Sequence, residues 1–146
     1  MKAGRALAVA ALVLTSGGAA AAADGAKLFA DTCQACHQAG GVGAPGLAPP
    51  LVSAVMAHAA AKQKDYPVMV VINGLSGSIR LAGGGAIASA MPPQQALSDD
   101  EIAAVVSYVF RLNDVKSAVK PADVARLRKQ PTSHDELRRI RSDLMP

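Results

Sequence analysis

The densest chemistry in the chain lies in Cys33-Gln34-Ala35-Cys36-His37, which holds both of its cysteines. A C-x-x-C-H run is the spacing of covalent c-type haem attachment. On a helix the two thiols lie about one turn apart, so both can add to vinyl groups on one edge of a porphyrin. His37 then lies over the ring face and can offer an imidazole nitrogen to iron. Three other chemistries use paired cysteines. A redox dithiol needs a β-α-β setting, and none is visible. A disulfide at this spacing closes too short a loop to stabilise much. A zinc site needs a second ligand pair, whereas His58 and His134 stand isolated.

Iron held by His37 on one face has a second axial position. In an electron carrier that position is usually filled, and methionine opposite histidine raises the reduction potential. Beyond the first residues the methionines are Met56, Met69, Met91 and Met145. Met56 and Met69 lie in apolar helical stretches, where packing is the ordinary role. Met145 is next to the last residue. Met91 precedes Pro92 and Pro93, whose fixed backbone can aim a side chain, so Met91 is the expected ligand. The simpler role for it is a plug between loop and core. His58, alone on an amphipathic helix, is a weaker candidate.

These groups need helices to hold them. Asp24 is a suitable cap for a helix running to Cys33, with Gly25, Phe29 and Cys33 on one face. Residues 39–50 are rich in glycine and proline and read as loop. Helical spacing returns over 51–62. A shorter helix is expected from Tyr66 or Pro67 to Ile72, stopped by Asn73-Gly74. Ser76 to Pro93 reads as an irregular wrap, and no strand pattern is convincing. Ser98-Asp99-Asp100-Glu101 is a capping box, and Ile102, Val105, Val106, Val109 and Leu112 follow at helical spacing.

The start of the chain reads as a secretory signal peptide, with Lys2 and Arg5, an apolar run from Ala6 to Leu14, and Ala21-Ala22-Ala23 before Asp24. Nine apolar residues are too few to span a bilayer, which takes about twenty. Cleavage after Ala23, within a few residues, leaves a mature chain of 24–146 without a transmembrane span, and export makes it periplasmic. The composition suits a core completed by a large apolar cofactor, since the chain has no Trp, two Tyr and two Phe. Residues 24–115 carry five basic and seven acidic residues, whereas 116–146 carry eight basic and four acidic. This pattern lacks the charge density and aromatic interleaving of a nucleic-acid binder. The basic extension could form a short helix broken at Pro121 and another over Asp135–Leu144. It could lie on the body or serve as a docking arm. Two haem propionates would add negative charge to an acidic body and favour folding back.

Over about residues 24–114 the chain resembles class I cytochromes c. The likeness rests on Gly25 and Phe29 ahead of Cys33-x-x-Cys36-His37, on Pro49-Pro50-Leu51, on Met91-Pro92-Pro93, and on a closing helix with Tyr108. It implies an all-α cytochrome c fold: about four to five short helices around one covalent haem c, here with a C-terminal helical extension (domains 1–23 signal, 24–115 cytochrome, 116–146 extension). It also implies that the first and last helices of the cytochrome cross closely at Gly25, with Phe29, Val105 and Tyr108 packing there. The axial histidine of such proteins donates its second N–H to a proline carbonyl, for which Pro49 is the best match and Pro50 its neighbour. Val70-Val71-Ile72-Asn73-Gly74-Leu75-Ser76-Gly77-x-Ile79 narrows the likeness to cytochrome domains serving bacterial periplasmic dehydrogenases. The chain departs from them at 82–90, where an aromatic often precedes the methionine.

The function this implies is one-electron transfer without catalysis of a substrate. Electrons would come from a dehydrogenase and go to a terminal oxidase or another cytochrome of a respiratory chain. The alternative is a haem enzyme or gas-binding protein with a labile sixth ligand.

Overall fold

In the computed structural model, which describes residues 23–146, the N-terminal helix is not uniform. A first α-helical turn, α1 (Gly25–Leu28), is capped by the Asp24 carboxylate, which accepts from the N–H groups of Ala26 and Lys27. A π-helical turn, Phe29–Cys33, follows, and a last α-turn, α2 (Gln34–His37), completes the segment. The extra residue of a π-turn shifts the side chains beyond it around the axis, a device common at functional sites. Gln38 ends the segment at φ 62, ψ 166 and turns the chain away immediately after His37.

Helix α3 (Ala54–Lys62) starts at Ser53, whose hydroxyl accepts from the Met56 N–H. Helix α4 (Asp65–Asn73) stops at Gly74, whose φ of 72 only glycine adopts without strain. Gly74 also backs onto the chain that follows Met91: a Cβ there would lie 2.6 Å from the Met91 carbonyl oxygen. Helix α5 (Asp99–Leu112) begins with the expected capping box, both of its hydrogen bonds formed.

Residues 76–93, read from the sequence as an irregular wrap, instead contain an antiparallel hairpin of β1 (Leu75–Arg80) and β2 (Ala86–Met91). Its residues are mostly Gly, Ser and Ala, poor strand formers, and only Leu75, Ile79 and Ile87 of the pair are buried among hydrophobics. Tertiary contacts hold the pairing rather than intrinsic preference. The register sets Leu75 opposite Met91. Pro92 and Pro93 have no N–H to continue the ladder, so Met91 stands at its end.

The basic extension forms α6 (Pro121–Arg128) and α7 (His134–Asp143). Pro121 is the first residue of α6 rather than a break within a helix, where its missing N–H costs nothing. Val119, Val124, Leu127, Leu137 and Leu144 are buried in the same hydrophobic cluster as Phe29, Ile102 and Phe110. Polar anchors add direction. Arg128 pairs with Asp99 at 2.6 Å and Arg126 with Asp65 at 2.8 Å. Ser107 Oγ accepts from the Val119 N–H, and His58 Nδ1–H donates to the Leu144 carbonyl at 2.9 Å. No helix among the described residues is long and apolar enough to cross a membrane. The expected signal peptide at 1–23 lies almost wholly outside the described residues.

Asn113, the C-cap of α5, ties the end of that helix to the loop before α3. Its Oδ1 accepts from the Ser53 N–H at 2.9 Å, and its Nδ2 donates to the carbonyls of Leu51 (2.8 Å) and Val109 (2.9 Å). Each such bond contributes about 1 kcal/mol, and stranded partners cost more. Asn113→Ala is therefore expected to lower stability by about 2–3 kcal/mol, seen as a lower denaturant midpoint at unchanged m-value.

Candidate functional site

The helices and hairpin surround one large open cleft enclosing about 1230 Å³, its mouth included. Its walls are largely apolar and include Leu51, Val70, Val71, Val105, Val106 and Val109. Cys33, Cys36, His37, Pro49 and Met91 all line it, although they lie as far as 58 residues apart.

His37 is 7% exposed, and its Nδ1 lies 3.0 Å from the Pro49 carbonyl oxygen. A carbonyl only accepts, so Nδ1 carries the proton and the lone pair is on Nε2. Burial pulls the ring below its ordinary pKa, outweighing the opposing effect of the Pro49 bond. A neutral imidazole with a free Nε2 and a second nitrogen fixed by a backbone acceptor is the form that ligates metal. The loop between these two residues is folded for the purpose: Gly43 N–H donates to the His37 carbonyl at 2.8 Å, and Ala44 pairs with Ala48.

Cys33 is half-buried and Cys36 exposed, and no disulfide joins them. Burial, with a smaller contribution from Cys36, pushes the Cys33 thiol up to about 11.

The four candidate methionines separate. Met56 and Met91 line the cleft, whereas Met69 and Met145 do not. Met56 is 5% exposed on α3 and packed in the core, and Met91 is only partly buried at the end of β2. His58 does not line the cleft and is occupied by Leu144.

Among the further polar residues that line the cleft and that the sequence reading did not assign to the site are Tyr66 on α4 and Arg141 on α7. A signal was present for the second: Leu137, Arg141 and Leu144 fall at helical spacing, which places an arginine within an apolar stripe.

The donor set and cavity fit a porphyrin: two thiols on one wall, an oriented imidazole beside them, a thioether, and apolar walls. Comparison with known proteins agrees. The family model for cytochrome c matches residues 22–113. The chain is 40% identical over 104 residues to a cytochrome c-552 of Thermus thermophilus, an alignment covering 68% of this chain and 66% of that protein. It is 40% identical over 92 residues to another Thermus thermophilus cytochrome c-552, covering 60% of this chain and 66% of that one. The chain thus spans just under two thirds of the length of these curated relatives. This chain belongs to the cytochrome c family, as a class I, single-haem member whose cofactor is covalently bound haem c.

Proposed function

We propose that the protein is an exported one-electron carrier of the periplasm, taking electrons from a dehydrogenase and passing them to a respiratory chain. Residues 1–23 are the export signal, 24–115 the cytochrome unit and 116–146 an extension of it. The observation that carries the reading is the convergence of Cys33, Cys36, His37 and Met91 on one apolar cleft, with His37 oriented by Pro49. Cys33 and Cys36 would hold the cofactor as thioethers, and His37 Nε2 and Met91 Sδ would ligate its iron. The haem supplies one-electron chemistry through ferric and ferrous iron. Met91 and the apolar walls favour the ferrous state, because a soft thioether and a low-polarity shell both disfavour added positive charge. Met91 is preferred to Met56 because its backbone is pinned by pairing with Leu75 and by two prolines, while Met56 fills the core.

Partners of such a carrier bind weakly and over small areas. Leu47 lines the cleft while 50% exposed, and Val42 and Val52 are exposed at 66% and 46%. The Gly41 carbonyl accepts from the N–H groups of both Leu51 and Val52, which brings Val42 and Val52 into one neighbourhood. These side chains offer a redox partner an apolar contact near the mouth of the cleft.

The test is a visible spectrum and redox titration of the holoprotein and of Met91→Ala. The parent is expected to be low-spin in both states, with the weak long-wavelength ferric band of sulfur-ligated iron. Met91→Ala should lose that band and drop in potential by on the order of 0.1 V or more, a fraction of the roughly 0.8 V that axial ligands span. A high-spin ferric parent would point to an open iron position and an enzymatic or gas-binding role. Persistence of the band in Met91→Ala would move the ligand to Met56.

A further inference from the structure

Charge is spread unevenly along the chain, and its gaps coincide with the cleft. No Asp, Glu, Lys or Arg occurs between Asp31 and Lys62, and Arg80 alone interrupts the stretch from Asp65 to Asp99. The chain as a whole is 18% charged, so runs of this length without a charge are a departure from its own composition. Both runs line the cleft: Cys36, Leu47 and Pro49 come from the first, and Ala90, Met91 and Pro92 from the second. Cys36, Leu47, Ala90 and Pro92 among these are exposed. Arg141 is the only Asp, Glu, Lys or Arg that lines the cleft among the described residues, and it is buried out of a partner's reach.

Apolar surface is concentrated in the same place. The large hydrophobic side chains that the described residues expose are Val42, Leu47 and Val52, all in the first run. Scattered singly they would mean little, whereas a cluster marks an interaction site. The loop that presents them is closely packed, since a Cβ at Gly43 would lie 2.6 Å from the Pro50 nitrogen. Charged groups of the basic extension lie elsewhere and are partly neutralised. Arg126, Arg128, Arg138 and Arg139 pair with Asp65, Asp99, Asp135 and Glu136.

We propose that the protein docks through this uncharged face, and that its partner is a redox protein whose own electron-transfer face is apolar and equally free of charge. The proposal rests on the electron-carrier reading above and adds the chemistry of the partner. A face ringed by lysines or carboxylates would bury those charges against Val42, Leu47 and Val52 without counter-ions, which is unfavourable. An apolar face releases hydrating water on contact and gains from it. The rim thus rejects charged partners as well as accepting neutral ones, and encounter proceeds without long-range electrostatic steering.

A second copy of this chain presents such a face, so the protein can serve as its own probe. A ferrous copy gives one electron to a ferric copy, and the two exchange oxidation states with no net change. The experiment measures this self-exchange by NMR line broadening in mixtures of ferric and ferrous holoprotein. Salt is raised from about 0.01 to about 1 M, over which the Debye length falls from about 30 Å to about 3 Å. The parent's second-order rate should change little. Val42→Glu sets like charges face to face and should slow exchange about tenfold at low salt, with recovery at high salt. Ferrous Val42→Glu mixed with ferric Val42→Lys should exchange faster at low salt than either variant with itself. Gln130→Glu makes the same charge change at an exposed site outside the cleft and should follow the parent. Val52→Glu repeats the test should Val42→Glu fail to fold. In concentrated ferrous parent, the amide shifts that move with protein concentration should lie at residues 39–52 and 90–95.

A parent rate that changes about tenfold or more with salt overturns the proposal, as does a Val42→Glu rate equal to that of Gln130→Glu. Shifts confined to α6 and α7 would make the extension the docking surface instead. A parent without attached haem, or one that exchanges no electrons at any salt, would overturn the proposed function itself.

Discussion

A chain carrying Cys33→Ser and Cys36→Ser together is expected to give up all of its haem to acidified organic solvent, where the parent keeps it bound to the polypeptide. The chain has no other cysteine, so no second attachment point can substitute. Each single variant should keep one thioether and hold haem against extraction with a shifted absorption maximum. The mass of the denatured chain reads this directly, since the parent and both single variants carry the haem increment and the double variant does not. The consequence for folding should be large. The walls of the cleft are Leu and Val side chains from α4, α5, the hairpin and the loop before α3, and each such side chain contributes about 1.5–3 kcal/mol when fully buried. A few left facing water are comparable with the roughly 5–15 kcal/mol net stability of a domain. The double variant should therefore lose its cooperative thermal transition or show it at much lower temperature. A parent chain of unmodified mass would reject the attachment.

Gly25→Val is expected to be the most destabilising single substitution in the N-terminal helix. A Cβ at Gly25 would stand 2.2 Å from the Ala104 carbonyl oxygen, 2.7 Å from its carbon and 3.1 Å from the Tyr108 Cβ. Backbone of α5 cannot move aside as a side-chain tip can, so the two helices must separate. Phe29 and Tyr108 pack across the same crossing with ring centroids 5.4 Å apart, and separation would weaken that contact as well. Overpacking costs about 1–3 kcal/mol and occasionally more. Helix propensity favours Ala over Gly by about 1 kcal/mol, which cannot offset a clash of this depth. Gly25→Ala should thus lose stability toward the upper end of that range, and Gly25→Val should lose more, each measured as a fall in denaturant midpoint of the holoprotein. A Gly25→Ala protein as stable as the parent would show that the crossing is looser than 2.2 Å implies.

The site was legible wherever chemistry was written in local spacing. The C-x-x-C-H run needs only five consecutive residues, and the Ser98–Glu101 capping box needs four. The Gly25 crossing was legible only through resemblance to a family, because nothing in its own neighbours says that Ala104 lies against it. Among methionines, apolar periodicity separated Met56 and Met69 from Met91 by context, and the fold then brought Met56 to the cleft wall all the same. The hairpin escaped the sequence reading because Gly, Ser and Ala carry almost no alternating signal. Its pairing comes from Ile79 and Leu75 packing inward, and from α7 lying against β1, where Arg138 donates to the Ser76 carbonyl.

The sequence by itself determined the cofactor chemistry, the main helices with their caps, and the excess of basic charge in the last 31 residues. Those features depend on neighbours within one or two turns, where backbone geometry dictates which side chains meet. Only the tertiary structure decided that Pro49 faces His37, that the extension is buried in the common core, and that Arg141 reaches the cleft beside Tyr66. Such meetings join residues from 12 positions apart, as His37 and Pro49, to 86, as His58 and Leu144. They are selected by how the whole apolar surface closes, which no local pattern encodes.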